Sequence, residues 1–390
     1  MALNFSLPEV YLSKISGKPK LFVDDHFYDK NIEIMSPEEP WKFISLVGEY
    51  CPYLNKISLQ EKEWLKAVEN IPISEILEDL LTNIRFAENE KIISQCKIVK
   101  RRIFLVTALF DLAGCLSLEN VSNILTIVAE EILRILTDEI IKTDLEIQKI
   151  VPSLEENSNH IMLKNPQKNP RFFVIAMGKL GASELNYSSD IDIIFFLKSS
   201  KNHIKEQINE RKEYILKARK LINVLTSLIN DDFIYRTDLR LRPDPASTPI
   251  VVSTDFAQKY YQDLGRTWER MAFIKARPVA GDMFEASKFI NKLENFIWRN
   301  YFDYAAIDDV KNLRDKMKLN SVSTSFDILS RYNIKTGLGG IRDIELFTQT
   351  YQLIVGGRQR ELRGQKTINS LKNLVQKRWL QKGQAEYLIE

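Results

Sequence analysis

The chain is poor in glycine and proline, 14 and 13 among 390 residues. That excludes collagen-like and loop-rich architectures and argues against a β-sandwich. Its three cysteines, Cys51, Cys96 and Cys115, are odd in number and far apart. They offer neither a disulfide framework nor a CxxC metal pair, and read as free thiols in a reducing cytosol. The three histidines, His26, His160 and His203, share no paired spacing, which argues against a histidine-based zinc site. Charge of one sign is also lacking: 55 basic against 52 acidic residues leave a net +3. No global affinity for nucleic acid or membranes follows, so any anion site must be local. No stretch reaches ~18 apolar residues free of charge, so no membrane span is expected. The opening MALNFSLPEV lacks a basic stretch followed by an apolar core. A signal peptide is therefore not expected, and a cytoplasmic location is.

What is present favours helices. Hydrophobic residues make up 44% of the chain, enough for a real core, and its length suits two or three domains. Residues 1 to about 150 read as mostly helical. From Ser117 to Ile150, the residues Val121, Leu125, Val128, Ile132 and Ile135 recur at three- and four-residue steps and form one apolar stripe. Ser117 is placed to cap it. KRRIFLVTALFDLAG (Lys100–Gly114) has the same helical look and stops at its glycine. ENSNHIMLKNPQKNP (156–170) reads as a polar surface connection.

The pattern then changes. RFFVIAMG (171–178) and IDIIFFL (191–197) are short apolar runs of the kind that form buried strands. The residues between them have room for one or two helical turns. A helix follows over 204–228. FIYRTDLRLRP (233–243) alternates with period two and predicts a strand, and PIVVS (249–253) another. Helices return over 283–300, 303–320, 340–356 and from about 365. The expectation is an α+β fold, predominantly α-helical, with a small α/β unit between helical regions. Its divisions are a helical region over 1–150, an α/β domain over 151–282 and part of a helical bundle over 283–390.

Asp190 and Asp192 stand at the mouth of the second strand, one residue apart, so they face the same side. Paired carboxylates repel, and burying both without a cation is costly. A divalent metal removes that cost, and hard oxygen ligands suit Mg²⁺. The preceding turn carries Gly178 and Gly181, which allow close backbone approach to an anion; Lys179 adds positive charge. Asp238, on the next predicted strand among Arg236, Arg240 and Arg242, is the candidate third acid. On an ideal strand it shares its face with those arginines. A lone DxD also occurs on many solvated strand ends, so the ordered combination is the more specific signal.

That combination makes the sequence recognisable. MGKLGASELNYSSDIDIIFF (177–196), YRTDLRLRPD (235–244), GRTWERMAFIKARPVAGD (265–282), NIKTGLGGIRDIELFTQTYQLIVGGR (333–358) and the weaker FDLAG (110–114) resemble the glutamine synthetase adenylyltransferase/adenylyl-removing enzyme family, in the polymerase-β-like nucleotidyltransferase superfamily. The family typically has two similar halves on one long chain; 390 residues accommodate one. ELNxSSDID, RTDLRLRPD and WERxAxIKARPVAGD are similar to the amino-terminal, adenylyl-removing half. Two departures stand out. Ala182 replaces the second glycine of KLGG, and Ala246–Ile250 replaces a Ser-Gly-Pro-Leu-like stretch.

The resemblance implies a nucleotidyltransferase unit in the middle of the chain, with Asp190, Asp192 and Asp238 as metal and catalytic carboxylates for Mg²⁺ or Mn²⁺. Gly178, Lys179, Gly181 and Ser189 would line a phosphate turn. Arg240, Arg242, Lys275 and Arg277 would contact phosphate or substrate, or merely solvate their strand. Trp268 reads as core packing in preference to adenine stacking, GLGG (337–340) as a turn opening a helix, and Arg342, Asp343 and Glu345 as helix-end charges in preference to residues facing the cleft. The implied reaction is phosphorolytic removal of AMP from a tyrosine of glutamine synthetase, yielding ADP. ATP-dependent adenylylation, and a non-catalytic half that binds glutamine synthetase or a PII signal protein, remain alternatives. Glutamine synthetase, phosphate, ADP or ATP, a PII signal protein and a separately encoded second half are the implied partners.

Overall fold

The computed structural model describes residues 40–88, 91–142, 171–198, 204–228, 233–300, 307–312, 315, 333–337 and 339–389. The chain divides into two compact units. The first comprises Met1–Glu139, Glu184–Ser189 and Asn223–Arg236; the second comprises Ile140–Ser183, Asp190–Ile222 and Thr237–Glu390.

The first unit is built from helices α1 (Pro40–Tyr50), α2 (Pro52–Gln60), α3 (Lys62–Val68), α4 (Ile73–Arg85), α5 (Ile92–Leu112) and all but the last turn of α6 (Leu118–Lys142). In α4, Ile73, Ile76, Leu77, Leu80, Leu81 and Ile84 are all buried, the three- and four-residue rhythm of one apolar face. The stripe expected in α6 is likewise buried. Ser117 caps that helix, its hydroxyl accepting the amide of Asn120 at 3.2 Å. Helix α5 starts at Ile92, earlier than the Lys100 expected, and ends before Gly114, which adopts φ +70°. Two buried glutamates tie helices together. Glu131 accepts from Arg85 at 2.5 Å and Arg134 at 2.7 Å. Glu61 accepts from Arg101, and from Arg102 at 2.7 Å. The end of the helix expected to reach Ile150, the connection at 156–170 and most of the helix expected over 303–320 lie outside the described residues.

The second unit is organised by a mixed sheet. Strand β1 (Phe172–Ala176) is central, followed by the single turn of α7 (Gly178–Gly181). It pairs antiparallel with β2 (Ile191–Leu197), Phe172 opposite Leu197 and Ala176 opposite Ile193. Its other neighbour, also antiparallel, is β5 (Arg277–Gly281). The free edge of β2 receives two short parallel strands in succession. β3 (Thr237–Asp238) lies opposite Ile191–Asp192, and β4 (Val251–Ser253) opposite Phe195–Leu197.

The strand expected over 233–243 is therefore corrected: only Thr237 and Asp238 join the sheet. The chain then leaves in a closed loop before β4. Arg242 gathers that loop, donating to the carbonyls of Leu239 at 2.8 Å, Pro245 at 2.7 Å and Thr248 at 3.4 Å. Strand β5 was not expected; it contains Pro278, admissible on a sheet edge.

Helix α8 (Ile204–Thr226) lies over one face of the sheet, where Phe172 stacks on Tyr214 and Phe195. The other face buries Phe173, Ile175, Ile194 and Phe196 in a large apolar cluster. Helices α9 (Thr254–Asp263), α10 (Thr267–Ile274) and α11 (Met283–Lys292) supply Tyr261, Phe273 and Phe289 to it. With α12 (Glu294–Ile297), α13 (Ile341–Val355), α14 (Thr367–Gln376) and α15 (Lys382–Ile389) the chain returns to helices. The last two are separated at Arg378, which has φ +64°. Among the described residues no helix is long and apolar enough to cross a membrane.

Candidate functional site

Alternation along β2 determines where its acids point. Ile194 and Phe196 enter the large apolar cluster, so Asp192 and, one step before the strand, Asp190 lie on that same face at its open end. Asp192 is partly buried and Asp190 exposed. The parallel pairing with β3 sets Asp238 directly opposite Asp192. The third acid thus joins the first two through sheet register, though its strand is only two residues long.

The acids differ in environment. Burial, reinforced by the negative charges of Asp238 and Asp190, pushes the Asp192 carboxyl up to about 6, against opposing pulls from Lys335 and Arg240. Hydrogen bonding from Arg240 outweighs burial at Asp238 and holds that carboxyl below its ordinary value. The Arg240 guanidinium reaches both oxygens of Asp238, Nε lying 3.0 Å from Oδ1 and 2.9 Å from Oδ2, and its backbone amide donates to Oδ1 at 2.8 Å. The Arg240 side chain is otherwise 85% exposed.

The glycine turn packs against the acids. Gly178 has φ +53°, and a Cβ there would collide with Oδ2 of Asp192. The amide of Met177 donates to the carbonyl of Asp192 at 2.9 Å. Glycine is thus needed at 178 for its backbone conformation, and a side chain there would also push the Asp192 carboxylate aside. At Gly181 a Cβ would strike the carbonyls of Lys275 and Ala176. Ala182, where the family pattern has glycine, is buried with φ −76°, an ordinary helical value.

The other expected residues fall into two groups. Lys179 sits half-buried in α7, and Arg240 is at the acids. Arg242, Lys275 and Arg277 are engaged with the protein itself. Lys275 is buried and pairs with Glu345 at 2.7 Å. Arg277 donates to the carbonyls of Gly181 at 3.1 Å and Leu180 at 3.0 Å. Glu345, near the start of α13, thus has a buried partner in Lys275. Asp343 does act at the helix end, accepting from the amide of Gly339 at 2.9 Å; Gly340 caps α13, as a helix-opening turn requires.

Ser189 belongs to the first unit, in a loop with its own supports. Its hydroxyl donates to Asn186, while Tyr187 donates to Asp111 at 2.9 Å and Leu185 N to Thr126 Oγ1 at 3.3 Å. Arg236 donates to the carbonyl of Ser188 at 2.9 Å, linking this loop to the 223–236 segment of the same unit. Asp111 lies in the FDLAG block, and the bond gives that block a structural role. Lys335 is the residue that sequence reasoning missed. It comes from the loop before α13 and bears electrostatically on Asp192, but no strand or charge pattern marks it.

Hard oxygen donors crowded by like charge at Asp192, which Lys335 and Arg240 only partly offset, suit a divalent cation. Among the described residues, however, no three acidic, histidine or cysteine side chains form a ready metal cage. With Asp238 held by Arg240, the fit is that of a pair, Asp190 and Asp192, and a third acid that an arginine must first release.

Residues 53–292 match the glutamate-ammonia ligase adenylyltransferase family, and residues 311–390 match the GlnD PII-uridylyltransferase family. A bifunctional glutamine synthetase adenylyltransferase/adenylyl-removing enzyme of Agrobacterium fabrum is 34% identical over 371 residues, 92% of this chain and 36% of that protein. Proteins of the same description are 34% identical in Bartonella quintana, over 89% of this chain and 35% of theirs, and 33% identical in Brucella suis, over 90% and 35%. The chain spans about a third of the length of these relatives.

Proposed function

The chain belongs to the glutamate-ammonia ligase adenylyltransferase family, and on that premise we propose that it is a nucleotidyltransferase that removes AMP from an adenylylated tyrosine of glutamine synthetase by phosphorolysis. In that reaction an oxygen of inorganic phosphate forms a bond to the α-phosphorus of the AMP group. The bond from that phosphorus to the tyrosyl oxygen breaks, the electron pair leaves on the phenolate, and the phenolate takes up a proton. The products are ADP and the unmodified tyrosine residue of the target. The observation that carries this reading is the register of β2 and β3, which sets Asp238 opposite Asp192 with Asp190 on the same face. The direction rests on the wording of the 184–192, 236–244 and 268–282 blocks, which resembles that of the adenylyl-removing half.

Asp190 and Asp192, with Asp238 once Arg240 has moved, would hold a divalent cation, Mg²⁺ or Mn²⁺. Such a cation, when bound, neutralises phosphoryl oxygens and eases departure of the phenolate. Arg240, exposed apart from its hold on Asp238, is placed to exchange that carboxylate for a phosphate oxygen. Lys179 and Lys335 add the further positive charge needed to keep two anions side by side. No strong base is required, because inorganic phosphate is itself nucleophilic near neutral pH. Gly178, Gly181 and Ser189 shape the turn and loop beside the acids, and Arg242, Lys275 and Arg277 support them from within.

The similarity of residues 311–390 to a PII-uridylyltransferase supports a PII signal protein as regulator, with control of nitrogen assimilation in the cytoplasm as the setting. Incubation of the purified chain with adenylylated glutamine synthetase, phosphate and Mg²⁺ tests the reading. Loss of one AMP mass from the target subunit, abolished by Asp192→Asn and by chelation of the metal, is expected. A gain of AMP by unmodified target when ATP is supplied, without any loss in phosphate, would assign adenylylation instead.

A further inference from the structure

Three residues join the C-terminal helices to the turn beside the acids. Lys275 closes α10; its ammonium, inside the protein, lies 2.7 Å from Glu345 on α13 and 3.4 Å from Thr367 Oγ1 at the start of α14. The next residue, Ala276, accepts from Gln365 Nε2 at 2.8 Å. The one after it, Arg277, opens β5 and grips the carbonyls of Leu180 and Gly181, the last residues of α7. Gly181 itself lies so close to the Lys275 carbonyl that no Cβ would fit between them. At the other end of that four-residue turn, a Cβ on Gly178 would strike the Asp192 carboxylate, and the amide of Met177, just before it, donates to the Asp192 carbonyl at 2.9 Å. The path from Glu345 to Asp192 thus runs through close contacts, within one compact unit.

We infer that Glu345 is a positioning residue for the acid site: by fixing Lys275 it sets the 275–277 segment, which holds the α7 turn against Asp192. The inference rests on the reading of Asp190 and Asp192 as metal-binding acids. It gives Lys275 a different role from the phosphate contact suggested by its place in the sequence. A buried ammonium paired with a carboxylate is held in place, and moving it to an anion would leave Glu345 without its partner. Residues that orient metal ligands from behind typically change metal affinity ~10- to 100-fold when altered.

The test uses the full chain and two readouts. Mn²⁺ binding is measured by titration calorimetry for wild type, Glu345→Gln, Lys275→Met and the reversed pair Glu345→Lys/Lys275→Glu. Amide exchange is followed over 178–182 in the same proteins. Glu345→Gln is expected to weaken Mn²⁺ binding ~10-fold and speed exchange across the turn. It should leave the KM for phosphate unchanged, and the reversed pair should recover most of the loss. If Glu345→Gln folds normally and changes neither Mn²⁺ affinity nor turn exchange, the inference is wrong. It is equally overturned if Lys275→Met raises the KM for phosphate and the reversed pair fails to restore it, since Lys275 would then contact phosphate itself. Absence of Mn²⁺ binding in wild type would instead overturn the metal-site reading, and exchange over 178–182 would still decide whether Glu345 sets the turn.

Discussion

Asp238 is held by Arg240, two residues further along, through both carboxylate oxygens and the arginine's own backbone amide. The arginine therefore competes with any cation for that carboxylate. Arg240→Ala is expected to tighten Mn²⁺ binding severalfold and at the same time to raise the KM for phosphate, because one side chain serves both ligands in turn. Calorimetry and steady-state kinetics on one preparation check the pair of effects. A loss of both affinities would show that Arg240 orders Asp238 for the metal rather than withholding it.

Asp192 carries a carboxyl pushed up to about 6 by burial and by Asp238 and Asp190, with Lys335 and Arg240 opposing. Without metal, the folded protein binds more protons than the unfolded chain between about 4 and 6, so this residue's ionisation lowers stability as pH rises through that window. Asp192→Asn is expected to raise the stability of the metal-free protein at pH 8 by roughly 1–3 kcal/mol while abolishing Mn²⁺ binding. In wild type, Mn²⁺ binding should weaken as pH falls through about 6. Thermal melts in chelator, with and without the substitution, measure the first effect. A melting temperature that falls would mean the carboxylate is stabilised in the fold.

Gly178→Ala places a Cβ against the Asp192 carboxylate at a backbone φ of +53°. A loss of about 1–3 kcal/mol in stability is expected, with metal binding reduced because Asp192 must shift. Denaturant unfolding and Mn²⁺ titration check this together. A protein of wild-type stability and affinity would show that the turn relaxes freely.

In the helical unit, burial pushes the Glu131 carboxyl up, but hydrogen bonds and charge from Arg134 and Arg85 outweigh it and lower its pKa. A depressed carboxyl contributes stability that is present above its unfolded pKa of about 4.5 and lost as pH falls through the folded value. Glu131→Gln should cost about 1–2 kcal/mol at pH 7, because the arginines left behind are partly exposed, and should flatten the acid limb of the stability curve below about 4.5. Urea unfolding across pH reads both. An unchanged acid limb would place the acid sensitivity on other carboxylates.

Much of this architecture was legible because it is local. β1 is an uninterrupted apolar run, β2 is apolar apart from Asp192, and the α6 stripe follows helical spacing over its whole length. The 233–243 segment shows where such reading stops. Its alternation was real, but Arg242 closes the following loop on three carbonyls, and no periodicity reports a side chain filling its own loop. β5 was missed because Pro278 and Arg277 hide a strand that exists through its pairing with β1. At the site, the acid pair was visible as a spacing, whereas the partner of Lys275 lies 70 residues away on α13. Lys335 reaches the acids only through tertiary folding.

The most direct measurement follows the fate of labelled phosphate. Adenylylated glutamine synthetase, Mg²⁺ and phosphate bearing heavy oxygen are mixed with the full chain, and the released nucleotide is analysed by mass spectrometry. The account predicts ADP carrying the label in its β-phosphate, and none with Asp190→Asn. Unlabelled ADP, or AMP released by water, would contradict attack by phosphate and with it the proposed reaction.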